Sequence, residues 1–167
     1  VATPLMALVM PVEQVLGLML PMLMMADVFA VTSHWQRWDN KLLLLLVPAS
    51  LIGITAGTLL LTTISADALR IGLAVIIILF VLYKIFEERI QRAVTYQPKG
   101  WHGMLTGILA GFTSTLAHTG GPPVAIYLLM QRVEPRVFVA TSAVYFAIIN
   151  WLKVPYYIYA GVMDLNQ

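Results

Sequence analysis

The stretch STLAHTGGPP, Ser114 to Pro123, sets three hydroxyl side chains, a histidine, two glycines and two prolines inside an otherwise apolar run. A helix does not pass smoothly through Gly120, Gly121, Pro122 and Pro123, because the glycines loosen the backbone and the prolines remove amide donors and clash with the preceding turn. In hydrocarbon every backbone group freed by such a break costs several kcal/mol unless protein or a water-lined cavity satisfies it. The break therefore points to a buried binding or transport site, as in proteins built on discontinuous helices.

The rest of the chain supplies the hydrocarbon setting. The 167 residues are 60% hydrophobic and 11% charged, and the mean hydropathy is +0.85, outside the range of a soluble domain. We expect an all-α integral membrane protein, a polytopic helical bundle with one broken helix, re-entrant or discontinuous. The absence of cysteine excludes a disulfide framework, a thiolate metal site and a cysteine nucleophile. His34, His102 and His118 lie too far apart for a zinc motif, and no P-loop, dinucleotide fingerprint or nucleophile elbow is present. Neither a metal nor another cofactor is expected, and the chain does not read as an enzyme. The net charge of +2 is no nucleic-acid footprint, since the basic residues sit between apolar runs where topology explains them.

Four spans meet the criterion of about 20 largely apolar residues, at Gln14–Thr32, Lys41–Ile64, Ala68–Phe86 and Phe138–Ala160. Residues His102 to Met130 divide differently, into a first half ending near Leu116 and a second starting at Pro122, where proline suits a first helical turn. Arg37 and Lys41 follow the first span, and Lys84, Arg89, Arg92 and Lys99 follow the third; alternation puts both connections on one face, which is cytoplasmic by the positive-inside rule. If 102–130 is re-entrant, Arg132 and Arg136 join that face, and this is the favoured arrangement. Trp35, Trp38 and Trp101 would then mark the inner interface, and Tyr156, Tyr157 and Tyr159 the outer one.

A short internal match, TPLMAL at Thr3–Leu8 with PPVAIYLL at Pro122–Leu129, suggests two inverted repeats, residues 1–101 and 102–167, within one membrane domain. The chain starts at Val1 inside an apolar run, so we expect both repeats to be incomplete at the outer ends, with a partner to the Gly-Gly break lying just upstream of Thr3-Pro4.

The block GFTSTLAHTGGPPVAIYLLMQR (Gly111–Arg132) with FVATSAVYFAIINWLKVPYY (Phe138–Tyr157) resembles the second half of the TauE/SafE family of membrane permeases, also described as sulfite exporters. ATPLMALVMPVEQVLGLMLPMLMMADVFAV (Ala2–Val31) and WDNKLLLLLVPASLIGITAGTLL (Trp38–Leu60) are similar to the first. The resemblance implies a secondary transporter exporting a small sulfur-containing anion, sulfite or an organosulfonate, across a bacterial inner membrane. Its alternative is a non-transporting structural subunit of a membrane complex on the same fold. Besides the bilayer, a small anionic substrate is the expected partner, with a homo-oligomer or a membrane-complex partner also open.

The residues give anion binding a physical basis. A helix starting at Pro122 presents its positive dipole end, amides near Thr119, Gly120 and Gly121 are approachable, and the hydroxyls of Ser114, Thr115 and Thr119 can donate to anionic oxygens. His118 either joins them or satisfies a buried carbonyl while the hydroxyls cap the break. Asp27, Asn150 and Lys153 also fall at membrane depth, where a charge costs about 2.5 to 3.5 kcal/mol on insertion scales and requires a partner. Asp27 and Asn150 come near register in the repeat and so flank one central site. Lys153 there attracts anions or neutralises Asp27, or else forms a structural pair or snorkels to the interface. The recurrences Gly103, Gly107, Gly111 and Ala49, Gly53, Gly57 read as faces for close helix contact, and the methionines from Met19 to Met25 as filler.

Overall fold

Three proline-containing apolar helices form the long elements of the protein, whose computed structural model describes residues 6, 9–65, 68, 71–72, 74–76, 78–79, 81–82, 85–86 and 98–163. They are α1 (Val12–Ser33), α2 (Asn40–Thr63) and α5 (Pro135–Tyr159), and each is long and apolar enough to cross a membrane. Between α2 and α5 lie α3 (Gly100–Ala117) and the ten-residue α4 (Gly121–Met130), separated by the break. All described residues between 68 and 86 are helical, in keeping with the third expected span. Of the short internal match at Thr3–Leu8 only residue 6 is described, and Arg70, Lys84, Arg89 and Arg92 lie outside the described residues.

Local chemistry fixes the helix ends. Asp39 caps α2, its carboxylate accepting from the amides of Lys41 at 2.8 Å and Leu42 at 3.3 Å. Prolines open both α4 and α5, where the missing amide is one that a helix start leaves unpaired in any case.

The two small-residue faces pack on each other and set the closest seam of the bundle. A side chain at Gly53 would strike the Ile108 carbonyl, at Gly107 the Leu46 carbonyl and at Gly111 the Ser50 carbonyl, so only glycine lets α2 and α3 approach this far. The order of these contacts, Gly103 beside Leu45 through to Gly57 beside Thr115, makes α2 and α3 parallel. α5 runs in the same direction, as Thr141 Oγ1 accepts from the Asp39 amide at 2.9 Å and Ser50 Oγ lies 2.7 Å from the Tyr145 hydroxyl. α1 is antiparallel to α5, with Gly17 against Val162 and Asp27 against Asn150.

The segment after the break turns back. Gly120 packs on the Ala110 carbonyl and Tyr127 on Gly103, so α4 descends along the first half of α3 and the pair forms a re-entrant hairpin. Ten helical residues measure about 15 Å, roughly half of a 30 Å hydrocarbon core, which sets the start of α4 near mid-depth. Among the described residues Arg37, Lys41, Lys99, Arg132 and Arg136 all belong to the end where α2, α3 and α5 begin.

Candidate functional site

The break is three residues long, and each is held differently. His118 ends α3 in the left-handed region at φ 51°, a conformation that non-glycine residues adopt at a cost of about 1 kcal/mol or more. Its amide still donates to the Ser114 carbonyl at 3.0 Å, and the Thr119 amide reaches the Thr113 carbonyl at 3.4 Å. Of the first three residues of α4 only Gly121 carries an amide hydrogen, because Pro122 and Pro123 follow it.

Lys153 on α5 ties this break together. Its side chain is fully buried, and its three ammonium hydrogens meet three acceptors: Ser114 Oγ at 3.1 Å, the Ser114 carbonyl at 3.4 Å and His118 Nδ1 at 3.1 Å. The ammonium therefore turns inward and stabilises the carbonyl end of α3 instead of reaching for the interface. Its other neighbour is the face of Tyr157, whose ring centroid lies 5.9 Å away. An ammonium only donates and a carbonyl only accepts, so His118 accepts at Nδ1 and donates from Nε2 to the Leu16 carbonyl at 3.2 Å. These partners assign the neutral Nε2–H tautomer to the ring. The Leu16 carbonyl is one residue before that of Gly17, which Pro21 deprives of its helical donor.

Asn150, one turn before Lys153, donates from Nδ2 to Asp27 Oδ2 at 2.6 Å. Asp27 and Lys153 also attract one another electrostatically across the site. Asp27, Ser114, His118, Gly121 and Asn150, with Leu23 and Phe146, line a cavity of about 280 Å³ where α1, α3, α4 and α5 meet. The cavity presents the Gly121 backbone, the Ser114 hydroxyl, the Asn150 amide and a carboxylate. Gly121 has open space in the direction of a side chain, while Gly120 is buried against Ala110 and Ser114.

The other sequence candidates stand around this cavity and do not line it. Thr115 is buried with Oγ1 donating to the Gly111 carbonyl at 2.9 Å. Thr119 Oγ1 donates to the Thr113 carbonyl at 3.4 Å, and both Thr119 and Pro122 face a separate, largely apolar cavity of about 440 Å³ beside the hairpin. Lys153 acts from behind Ser114 and His118. Tyr157, expected at the outer interface, is instead fully buried and donates to the Thr115 carbonyl at 2.6 Å. The signal was its spacing: Asn150, Lys153 and Tyr157 recur at three and four residues and share one helix face. Leu23 and Phe146 carried no such signal, since only the crossing of α1 and α5 brings them to the site. Among the described residues no group of three or more His, Asp or Glu side chains is placed to hold a metal.

The family model described as Sulfite exporter TauE/SafE matches residues 1–167, the whole chain. No curated protein matches, and no solved structure matches.

Proposed function

We propose, from the premise that this chain belongs to the sulfite exporter TauE/SafE family, that it is a secondary transporter moving a small sulfur-containing anion of the sulfite or organosulfonate class out across a bacterial inner membrane. Residues 1–101 and 102–167 are its two repeats, and the end that carries Arg37, Lys41, Lys99, Arg132 and Arg136 faces the cytoplasm. The family and the three long apolar helices support the membrane setting.

The observation that carries the reading is the cavity at the start of α4. A helix start near mid-membrane concentrates positive potential, and Gly121 leaves its own amide approachable there. Lys153 adds a buried positive charge next to the same wall, while the Ser114 hydroxyl and the Asn150 amide supply neutral donors. Broken helices with their half-helix ends aimed at a central site are how many transporters bind ions without stripping them of all partners.

The test is uptake of radiolabelled sulfite and of a labelled organosulfonate into proteoliposomes holding the whole protein, compared with Gly121→Leu and His118→Ala. Saturable flux in the native protein and its loss in both variants support the reading. Unchanged flux in both variants defeats the site. A native protein that moves neither probe, yet co-purifies stoichiometrically with other membrane proteins, serves as a structural subunit instead.

A further inference from the structure

The cavity proposed to receive an anion also holds a carboxylate, an arrangement that a site for any small anion would avoid. Asp27 lines the same space as the Gly121 backbone and the Ser114 hydroxyl. A carboxylate offers about four lone-pair sites, and Asn150 takes one of them at Oδ2. The remaining acceptor capacity belongs to an acceptor-only group beside a space otherwise provided with donors. His118 cannot supply the missing hydrogen, since its one ring hydrogen is engaged by the Leu16 carbonyl and Lys153 fills its other nitrogen. Nor can Lys153, whose three hydrogens meet Ser114 twice and His118 once. With these protein donors engaged, the half-buried Asp27 is left to water or to a donor that the ligand carries in its place.

We infer that the site selects singly charged anions carrying a hydrogen-bond donor of their own, the oxyanion end resting on the Gly121 and Ser114 side and the donor on Asp27, and that it rejects dianions. This rests on the transport reading above and narrows its substrate class. Two physical terms drive the selection. A fully ionised, donor-free anion brings a second negative charge against Asp27 and displaces water from the carboxylate without replacing its hydrogen bonds, both penalties being larger beside half-buried groups than in bulk water. A ligand with a hydroxyl, or a protonated oxyanion such as hydrogensulfite, turns the same carboxylate into a partner. Sites built to hydrogen-bond a ligand hydroxyl discriminate strongly against the analogue that lacks it, because their own buried polar groups are then left unpaired.

The experiment is competition against radiolabelled sulfite uptake in proteoliposomes, with three unlabelled competitors: 2-hydroxyethanesulfonate, its near-isostere 1-propanesulfonate, and sulfate. In the native protein the hydroxyl-bearing sulfonate should compete at least about tenfold better than propanesulfonate, the equivalent of one well-matched hydrogen bond to a charged group, and sulfate should not compete. Asp27→Asn removes the charge and keeps the shape, so sulfate should become a competitor and the tenfold preference should shrink. Equal competition by the two sulfonates in the native protein, or competition by sulfate, overturns the inference even if Asp27→Asn does not fold. Native competition as expected, with the same selectivity retained by a folded Asp27→Asn, overturns the assignment to Asp27. If no saturable sulfite uptake rises above that of empty liposomes, the transport reading fails and the inference falls with it.

Discussion

Lys153 is bonded to Ser114 twice, to the hydroxyl at 3.1 Å and to the carbonyl at 3.4 Å, although the two residues lie on different helices. With both side chains buried, α5 grips the end of α3 at the place where the helix breaks. The position of the break is thus set by tertiary contact as well as by its glycines and prolines.

Lys153→Met should destabilise the protein by about 1 to 3 kcal/mol, since His118 Nδ1 loses its donor in a buried position, while the Ser114 carbonyl keeps only the His118 amide. Lys41→Met, at an exposed position, should stay within about 0.5 kcal/mol. Equilibrium unfolding in detergent compares them; an equal effect of the two removes Lys153 from its structural part.

Gly120 and Gly121 should separate folding from transport. Gly120→Ala sets a methyl group 2.7 Å from the Ala110 carbonyl and should cost about 1 to 3 kcal/mol by overpacking. Gly121→Leu points into open space beside the cavity, so the protein should fold normally while sulfite flux falls at least about tenfold. Melting temperature and flux measured on the same preparations decide between these effects.

The buried pair Ser50 and Tyr145 joins α2 to α5 by a 2.7 Å hydrogen bond. A double-mutant cycle with Ser50→Ala and Tyr145→Phe should return a coupling of about 1 kcal/mol. Thr58 offers the contrast: its buried hydroxyl has no hydrogen-bond partner, so Thr58→Val should be neutral or stabilising.

The chain contains no cysteine, so single cysteines report topology without a background to remove. Arg37→Cys, Lys99→Cys and Arg136→Cys, all exposed, should react with a membrane-impermeant maleimide from the same side. Labelling of Arg136→Cys from the opposite side to Lys99→Cys would mean that residues 100–130 traverse the bilayer.

Hydropathy placed α1, α2 and α5 to within about three residues at each end, because length and apolar content are all that a membrane demands of a spanning helix. The break was equally legible, since Gly-Gly-Pro-Pro leaves a helix no way through. So were the glycine faces, whose four-residue recurrence became the α2–α3 seam. What escaped were facts of orientation. Tyr157 looked like an interface residue because tyrosines cluster near a helix end, yet its phase relative to Lys153 turns it inward. Thr115 and Thr119 looked like ligand donors, but each gives its hydroxyl hydrogen to a backbone carbonyl, Thr115 within α3 to Gly111 and Thr119 from the break back to Thr113.

The bundle has two kinds of seam. Between α2 and α3 backbone lies against backbone, and sliding there would drive glycine positions into carbonyl groups. Between the break and its neighbours α1 and α5, apolar packing of Leu116 and Ala117 with Leu16, Leu20 and Tyr157 is joined by a few discrete hydrogen bonds, Lys153 to Ser114, His118 to Leu16 and Tyr157 to Thr115. Such bonds can be exchanged one at a time for bonds to water or to a passing ion, whereas interlocked backbones have no substitute partner. The α2–α3 seam is thus the part of the molecule whose contacts have no replacement, and the polar groups beside the cavity are the part whose partners do.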